Sequence, residues 1–299
     1  MTKKKEKEAP QAVGESIQEA KKGLKTKAML VRLNISQWEG RKFDKKVTKE
    51  IEDAHGVTNA GRFNKILIDP EAIKKVTRVN AEARDFHYRN SLPWRDDGAR
   101  ILPSPNFLDY TKGIQELKEK YREAVGELSS SYDALIDEAR SRLNSMFDEQ
   151  DYPSGEEIRR KHGFSVSFDP LPDAGDFRVD ISDDQVEEIR KSIEDRNKNA
   201  FQEANKDLWS RLYESVKHMT EKLADPDAIF RDSLVGNLAN LCSLLPKLNL
   251  EDSELEKKRA EIEDRLCRFD PDDFRKDKGL RKDIAKEAQD ILDSMSSFL

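Results

Sequence analysis

Cysteine is almost missing from this chain: 2 in 299 residues. Cys242 and Cys267 fall inside helical patterns, without a C-x-x-C or Cys/His partner, and read as reduced core residues. Apolar residues are scarce too, 36% against 38% charged. No stretch approaches the ~18 consecutive apolar residues of a membrane span, and a parallel-sheet enzyme would need longer apolar strands than any found. Neither G-x-x-x-x-G-K-[ST] nor G-x-G-x-x-G occurs, so nothing supports nucleotide binding. The four histidines form no H-x-x-x-H pattern. The lysines near the start are not followed by an apolar stretch, so no secretory signal is expected. The expectation is a soluble cytoplasmic protein of a bacterium or bacterial host, with no catalytic residues, metal or cofactor.

What is present is helical periodicity. Apolar residues recur in steps of three and four from Phe107 through Tyr121, Leu128 and Tyr132 to Met146, and again from Val186 through Leu208 and Val216 to Leu223. Two such stripes predict a long antiparallel, coiled-coil-like hairpin, since each needs an apolar partner. Between them Phe164, Val166 and Phe168, then Phe177, Val179 and Ile181, alternate with polar residues, predicting a small β-ribbon tip. The loop between those strands is expected to be fully presented. Phe168, Pro170, Leu171, Pro172, Asp173, Asp176, Phe177 and Arg178 are its candidate partner contacts. Its aspartates lack the register of a calcium loop.

The expected fold is therefore mainly α. Residues 1–15 form a disordered tail, 16–105 a basic N-terminal module with a short strand at 28–35, and 106–225 the hairpin, with its tip at 151–181. Residues 226–299 form a helical body. Phe230 to Leu245, the most apolar helix, should lie at that body's centre and end at Pro246. Capping signals are expected at Ser36/Glu39, Asp69/Pro70, Ser154 and Ser182/Gln185.

Charge is unevenly spread. Residues 1–105 carry 23 Lys and Arg against 15 Asp and Glu, while the remainder carries 31 against 45. A helix over 37–55 would align Arg41, Lys45 and Lys49 at i, i+4 beside Trp38, with Arg62 and Lys65 following. Cations next to an aromatic suit phosphate and base contacts, so these six are candidate nucleic-acid contacts. The competing reading is a solvated helix face. Asp96 and Asp97 read as a turn, and His55 and His162 as helix ends.

Six stretches resemble a family of unknown function from phages, mobile elements and proteobacteria: NISQWEGRKFDKKV (34–47), HGVTNAGRFNK (55–65), HYRNSLPWRDDGARILP (87–103), FDPLPDAGDFRV (168–179), DLWSRL (207–212) and FRDSLVGNL (230–238). The resemblance implies gene neighbours that are MoxR-type AAA+ ATPases, similar to cobaltochelatase subunits, and von Willebrand A-domain proteins. It carries over no catalytic residue. The leading expectation is a non-enzymatic adaptor or assembly protein working with such an ATPase. A nucleic-acid-binding accessory protein comes second and an enzyme third; self-association fits all three.

Overall fold

A computed structural model describes residues 27–95, 97–176, 182–225 and 231–299. The expected tail at 1–15, the expected strand at 177–181 and Asp96 lie outside the described residues. The chain is mainly helical with a small antiparallel sheet. Its strands are β1 (Ala28–Ser36), β2 (Arg41–Phe43), β3 (Asn64–Ile66), β4 (Leu92–Pro93), β5 (Arg100–Pro103) and β6 (Gly163–Asp169). Its helices are α1 (Lys45–His55), α2 (Pro70–Arg89), α3 (Phe107–Leu143), α4 (Gly155–Lys161) and α5 (Asp183–Ala224), followed by α6 (Asp232–Leu248), α7 (Ser253–Leu266), α8 (Pro271–Lys276) and α9 (Lys278–Met295).

Two compact units divide the chain. The first comprises Met1–Arg32, Arg89–Leu108 and Phe168–Leu299, and the second Leu33–Tyr88 and Asp109–Ser167. This division differs from the expected domains, because residues 16–105 and 106–225 each contribute to both units. The charge contrast fades with it: the second unit carries 20 Lys and Arg against 22 Asp and Glu.

In the first unit α5 supplies the longest buried stripe. Ala204, Leu208, Leu212, Val216, Met219 and Leu223 share one core with Leu238 and Leu245 of α6, Ile262 of α7, and Ile284, Ala288 and Ile291 of α9. Each fully buried Leu or Ile contributes roughly 1.5–3 kcal/mol. The buried Arg281 of α9 donates to the carbonyls of Leu223 and Lys222, at 3.2 and 2.6 Å, and to that of Asp225. A cation there satisfies the orphan carbonyls at the C-terminus of α5 and complements its dipole. α6 lies in this core as expected, but it runs through Pro246 to Leu248. In the last turn a proline forfeits only its own N–H bond, and Asn249 still donates to Leu245 at 2.8 Å. Beside this core β5 pairs antiparallel with β1, from Ala28↔Pro103 to Val31↔Arg100, and with β4 through Leu92↔Ile101.

In the second unit the core holds Trp38, Leu67, Ile68, Ile73, Val76 and Val79, together with Tyr121, Ala124, Leu128 and Tyr132 of α3 and Ile158 of α4. Asp69 caps α2 as its sequence predicts, accepting from Glu71 N at 2.9 Å. The short helix expected to start at Ser154 does so as α4, opened by a capping box between Ser154 and Glu157. β2 and β3 form a separate two-stranded ribbon, Arg41↔Ile66 to Phe43↔Asn64. The later part of the α3 stripe and the α5 stripe thus lie in the cores of different units.

Candidate functional site

The basic stretch folds differently from its expected helix. Ser36 ends β1, and the capping residue is Asp44, whose carboxylate accepts from Lys46 N at 3.1 Å and Val47 N at 3.0 Å. Arg41 is therefore on β2 rather than in line with Lys45 and Lys49 on α1. Gly40 makes the ribbon possible. It has φ +65°, and a Cβ there would meet Ile73 Cδ1 at 2.6 Å. The helix ends at His55, as expected, with Gly56 left-handed at φ 61°.

Two of the six predicted contacts are withdrawn from any ligand. Trp38 is buried in the second unit's core, edge-on to Tyr132 with centroids 5.7 Å apart. Its large apolar area outweighs the hydrophilic neighbours that make it look exposed in sequence. Lys65 is buried as well, paired with Asp151 and, at 3.2 Å, with Asp44, and it donates to the Met146 carbonyl at 3.0 Å. Burial pushes its ammonium down, but the two carboxylates outweigh that and hold its pKa above the usual 10.5. Burial likewise pushes Asp151 up, and the ammoniums of Lys42 and Lys65 outweigh it and keep it below the ordinary carboxylate range.

Arg41, Lys45, Lys49 and Arg62 are exposed. The Arg62 guanidinium stands 5.5 Å over the Phe43 ring, a cation–π contact. Lys45, Lys49 and Arg62 line an open cleft of about 460 Å³ between α1 and its following loop, shared with the carboxylates of Glu52 and Asp53. The surface is thus of mixed sign, cationic along one edge.

The tip residues are only partly presented. Phe168 is exposed, its ring T-shaped against Phe107 at 5.4 Å, and Pro170 is exposed. Leu171 and Ala174, however, are buried, Leu171 within the first unit's core. The Pro172 carbonyl accepts from Asn197 Nδ2 of α5 at 2.8 Å. Asp173 is half-buried and accepts from Gly175 N, two residues on, at 2.8 Å. The fully presented loop is thereby corrected, because an apolar leucine next to a long apolar stripe folds onto it. Asp176 ends a short 3₁₀ turn, and Phe177 and Arg178 lie outside the described residues.

A second cleft, of about 360 Å³, has no counterpart in the sequence reading. Lys118, Tyr121, Arg122, Val125 and Gly126 of α3 form one wall, and Arg159, His162 and Phe164 the other. His162, the residue after α4, is fully engaged. Its Nδ1 meets the Ile158 carbonyl at 2.8 Å and its Nε2 accepts from Trp38 N at 3.4 Å, the pattern of a neutral ring protonated at Nδ1. Burial pushes its pKa down, in keeping with that state. The walls come from segments some forty residues apart, so no local motif marks them.

Among the described residues no group of three or more His, Cys, Asp or Glu is placed to hold a metal ion, and no helix is long and apolar enough to cross a membrane. Comparison of the chain with protein-family models, with curated proteins and with solved structures finds no match.

Proposed function

We propose that this chain is a non-enzymatic helical adaptor that works with an AAA+ ATPase of the MoxR type, using one end of α5 as its contact arm. One observation supports this above the rest. Every buried residue of the 42-residue α5 lies at Ala200 or beyond, so residues 183–199 make more than four turns of helix without one fully buried side chain. Helices in proteins draw most of their stability from packing an apolar face, and Val186, Ile189 and Ile193 are only half-covered on it. A partner surface that completes the burial gives such a segment a purpose. The resemblance of 168–179 and 207–212 to the family found beside these ATPases points to the same partner class. Pairing of the long helices as a hairpin, self-association, a von Willebrand A-domain partner and a cytoplasmic setting belong to this reading.

The test is co-expression with the neighbouring ATPase and pull-down in the presence of nucleotide. The complex should form with the intact chain and be lost with Ile189→Asp and Ile193→Asp combined, at unchanged helicity. Failure to form any complex, or survival of the complex in the double variant, overturns the proposal.

A second reading is nucleic-acid binding through the exposed Arg41, Lys45, Lys49 and Arg62, supported by the cleft that Lys45, Lys49 and Arg62 share, with Arg41 on the strand that precedes α1. Filter binding of single- and double-stranded DNA at about 50 mM salt tests it, since each phosphate neutralised steepens the fall of affinity with salt. No retention under those conditions removes it.

A further inference from the structure

We infer that the cleft between α3 and the α4–β6 corner of the second unit is a binding site for an organic phosphate bearing a planar ring, which is to say a nucleotide, free or within a single strand. The inference is independent of the adaptor reading and uses none of the residues of the basic ribbon and helix.

Charge is the first argument. Lys118 and Arg122 stand one turn apart on α3 and Arg159 faces them, while no carboxylate lines the cleft. Arg122 is engaged by Glu119 at 2.8 Å from one nitrogen only. Arg159 is held through Nε by Ser129 Oγ at 2.9 Å, which orients the guanidinium while leaving its two terminal nitrogens for a ligand. A guanidinium so fixed presents the parallel donors that match phosphate oxygens. With Glu119 offsetting Arg122, Lys118 and Arg159 still leave the cleft cationic, and a phosphate complements that charge.

The apolar part of the cleft supplies the second argument. The half-buried Phe164 offers its ring to the cleft beside Val125, backed by the buried Tyr121 with centroids 5.5 Å apart at 52°. Aromatic rings next to guanidinium groups are the means by which proteins hold bases without reading their sequence. A volume of about 360 Å³ lies in the range of small-ligand sites, ~300–1,000 Å³.

Gly126 is the third. A glycine inside a helix costs about 1 kcal/mol relative to alanine, yet a Cβ at 126 would meet nothing within 4 Å. Packing therefore gives no reason for glycine there, whereas an unobstructed cleft wall does. His162, with both nitrogens engaged, offers no base, so the site binds and does no proton chemistry.

Isothermal titration of the full chain with AMP, ATP, pyrophosphate and a short 5′-phosphorylated oligothymidylate tests the site. Binding of AMP and ATP, or of the oligonucleotide, should be tighter than about 1 mM and tighter than that of pyrophosphate. Arg122→Gln and Arg159→Gln should each weaken it about tenfold or more, and Gly126→Leu should abolish it with the thermal midpoint unchanged or raised. Oligonucleotide without AMP assigns a strand, and AMP without oligonucleotide assigns a free nucleotide. No binding of any nucleotide probe overturns the proposal, as does affinity that survives the double Gln variant. Both Gln changes are at exposed positions, so retained circular dichroism separates loss of the site from loss of the fold. Equal binding of pyrophosphate overturns the role given to the ring.

Discussion

Lys65 and Asp151 form an ion pair inside the second unit, with 6% and 7% of their side chains exposed. The ammonium also reaches Asp44, which caps α1, and the Met146 carbonyl. One lysine thereby joins β3, the start of α1 and the turns that follow α3. Without Lys65, Asp151 keeps Lys42 and Asp44 keeps its helix N–H bonds, so the loss falls short of the about 3–5 kcal/mol of a buried charge left with no partner. Lys65→Ala should lower the free energy of urea unfolding by roughly 2–3 kcal/mol, and Lys65→Met with Asp151→Leu by much less. A loss under about 1 kcal/mol for Lys65→Ala would mean that water already reaches the pair.

The same cluster sets a pH dependence. Asp44, held down chiefly by the Val47 N–H and further by Lys65, and Asp151, held down by Lys42 and Lys65 against its burial, both titrate below the usual carboxylate value of 3.8 when folded. Their contribution is present above the unfolded value and is lost as pH falls through the folded ones. Lys65 titrates above 10.5 when folded, so its contribution is present below 10.5 and lost as pH rises through the folded value. Urea titrations across pH should show both limbs, and Lys65→Met should flatten the alkaline limb while making the acid limb shallower. An unchanged alkaline limb in that variant would refute the assignment.

The two thiols should behave as unequal partners. Cys242 is buried and Cys267 half-buried, and the interaction of the two sulfurs pushes the Cys242 thiol up, burial adding to it, while pulling Cys267 down. Thiolate is the reactive form. Iodoacetamide followed by peptide mass mapping should label Cys267 first. In Cys242→Ala the pH at which Cys267 reacts should move up. Labelling of Cys242 first would contradict the opposite shifts of the two thiols.

Two glycines inside α3 should respond to alanine with opposite sign. At Gly113 a Cβ would sit 2.4 Å from the Phe86 ring, an overpacking that costs about 1–3 kcal/mol. At Gly126 the new methyl meets nothing, and the gain in helix propensity should be about 1 kcal/mol. Thermal melts of the two variants, run side by side, decide the matter.

The helices were legible because their signals are local. The stripe from Val186 to Leu223 and the caps at Asp69 and Ser154 depend on residues within one or two turns. The ribbon of Arg41–Phe43 and Asn64–Ile66 was not, since three-residue strands are too short to show a period and their register comes from Gly40 and the Leu67 N–H that bonds to its carbonyl at 2.8 Å. Trp38 and Lys65 were misread for a related reason. Their partners, Tyr132 and Asp151, lie more than eighty residues away, and no spacing announces them. The 360 Å³ cleft was invisible on the same ground, although Lys118 and Arg122, at i, i+4 on a helix, were the part a local reading could have found.

The uneven burial of α5 has a kinetic consequence. Amides after Ala200 are shielded by the first unit's core, whereas those of 183–199 rest on helix hydrogen bonds and half-covered side chains. Local opening of the first part need not disturb the second. Hydrogen–deuterium exchange should therefore split one continuous helix into two populations, fast before Ala200 and slow beyond it. Addition of the proposed ATPase partner should slow exchange in the first part and merge the two populations.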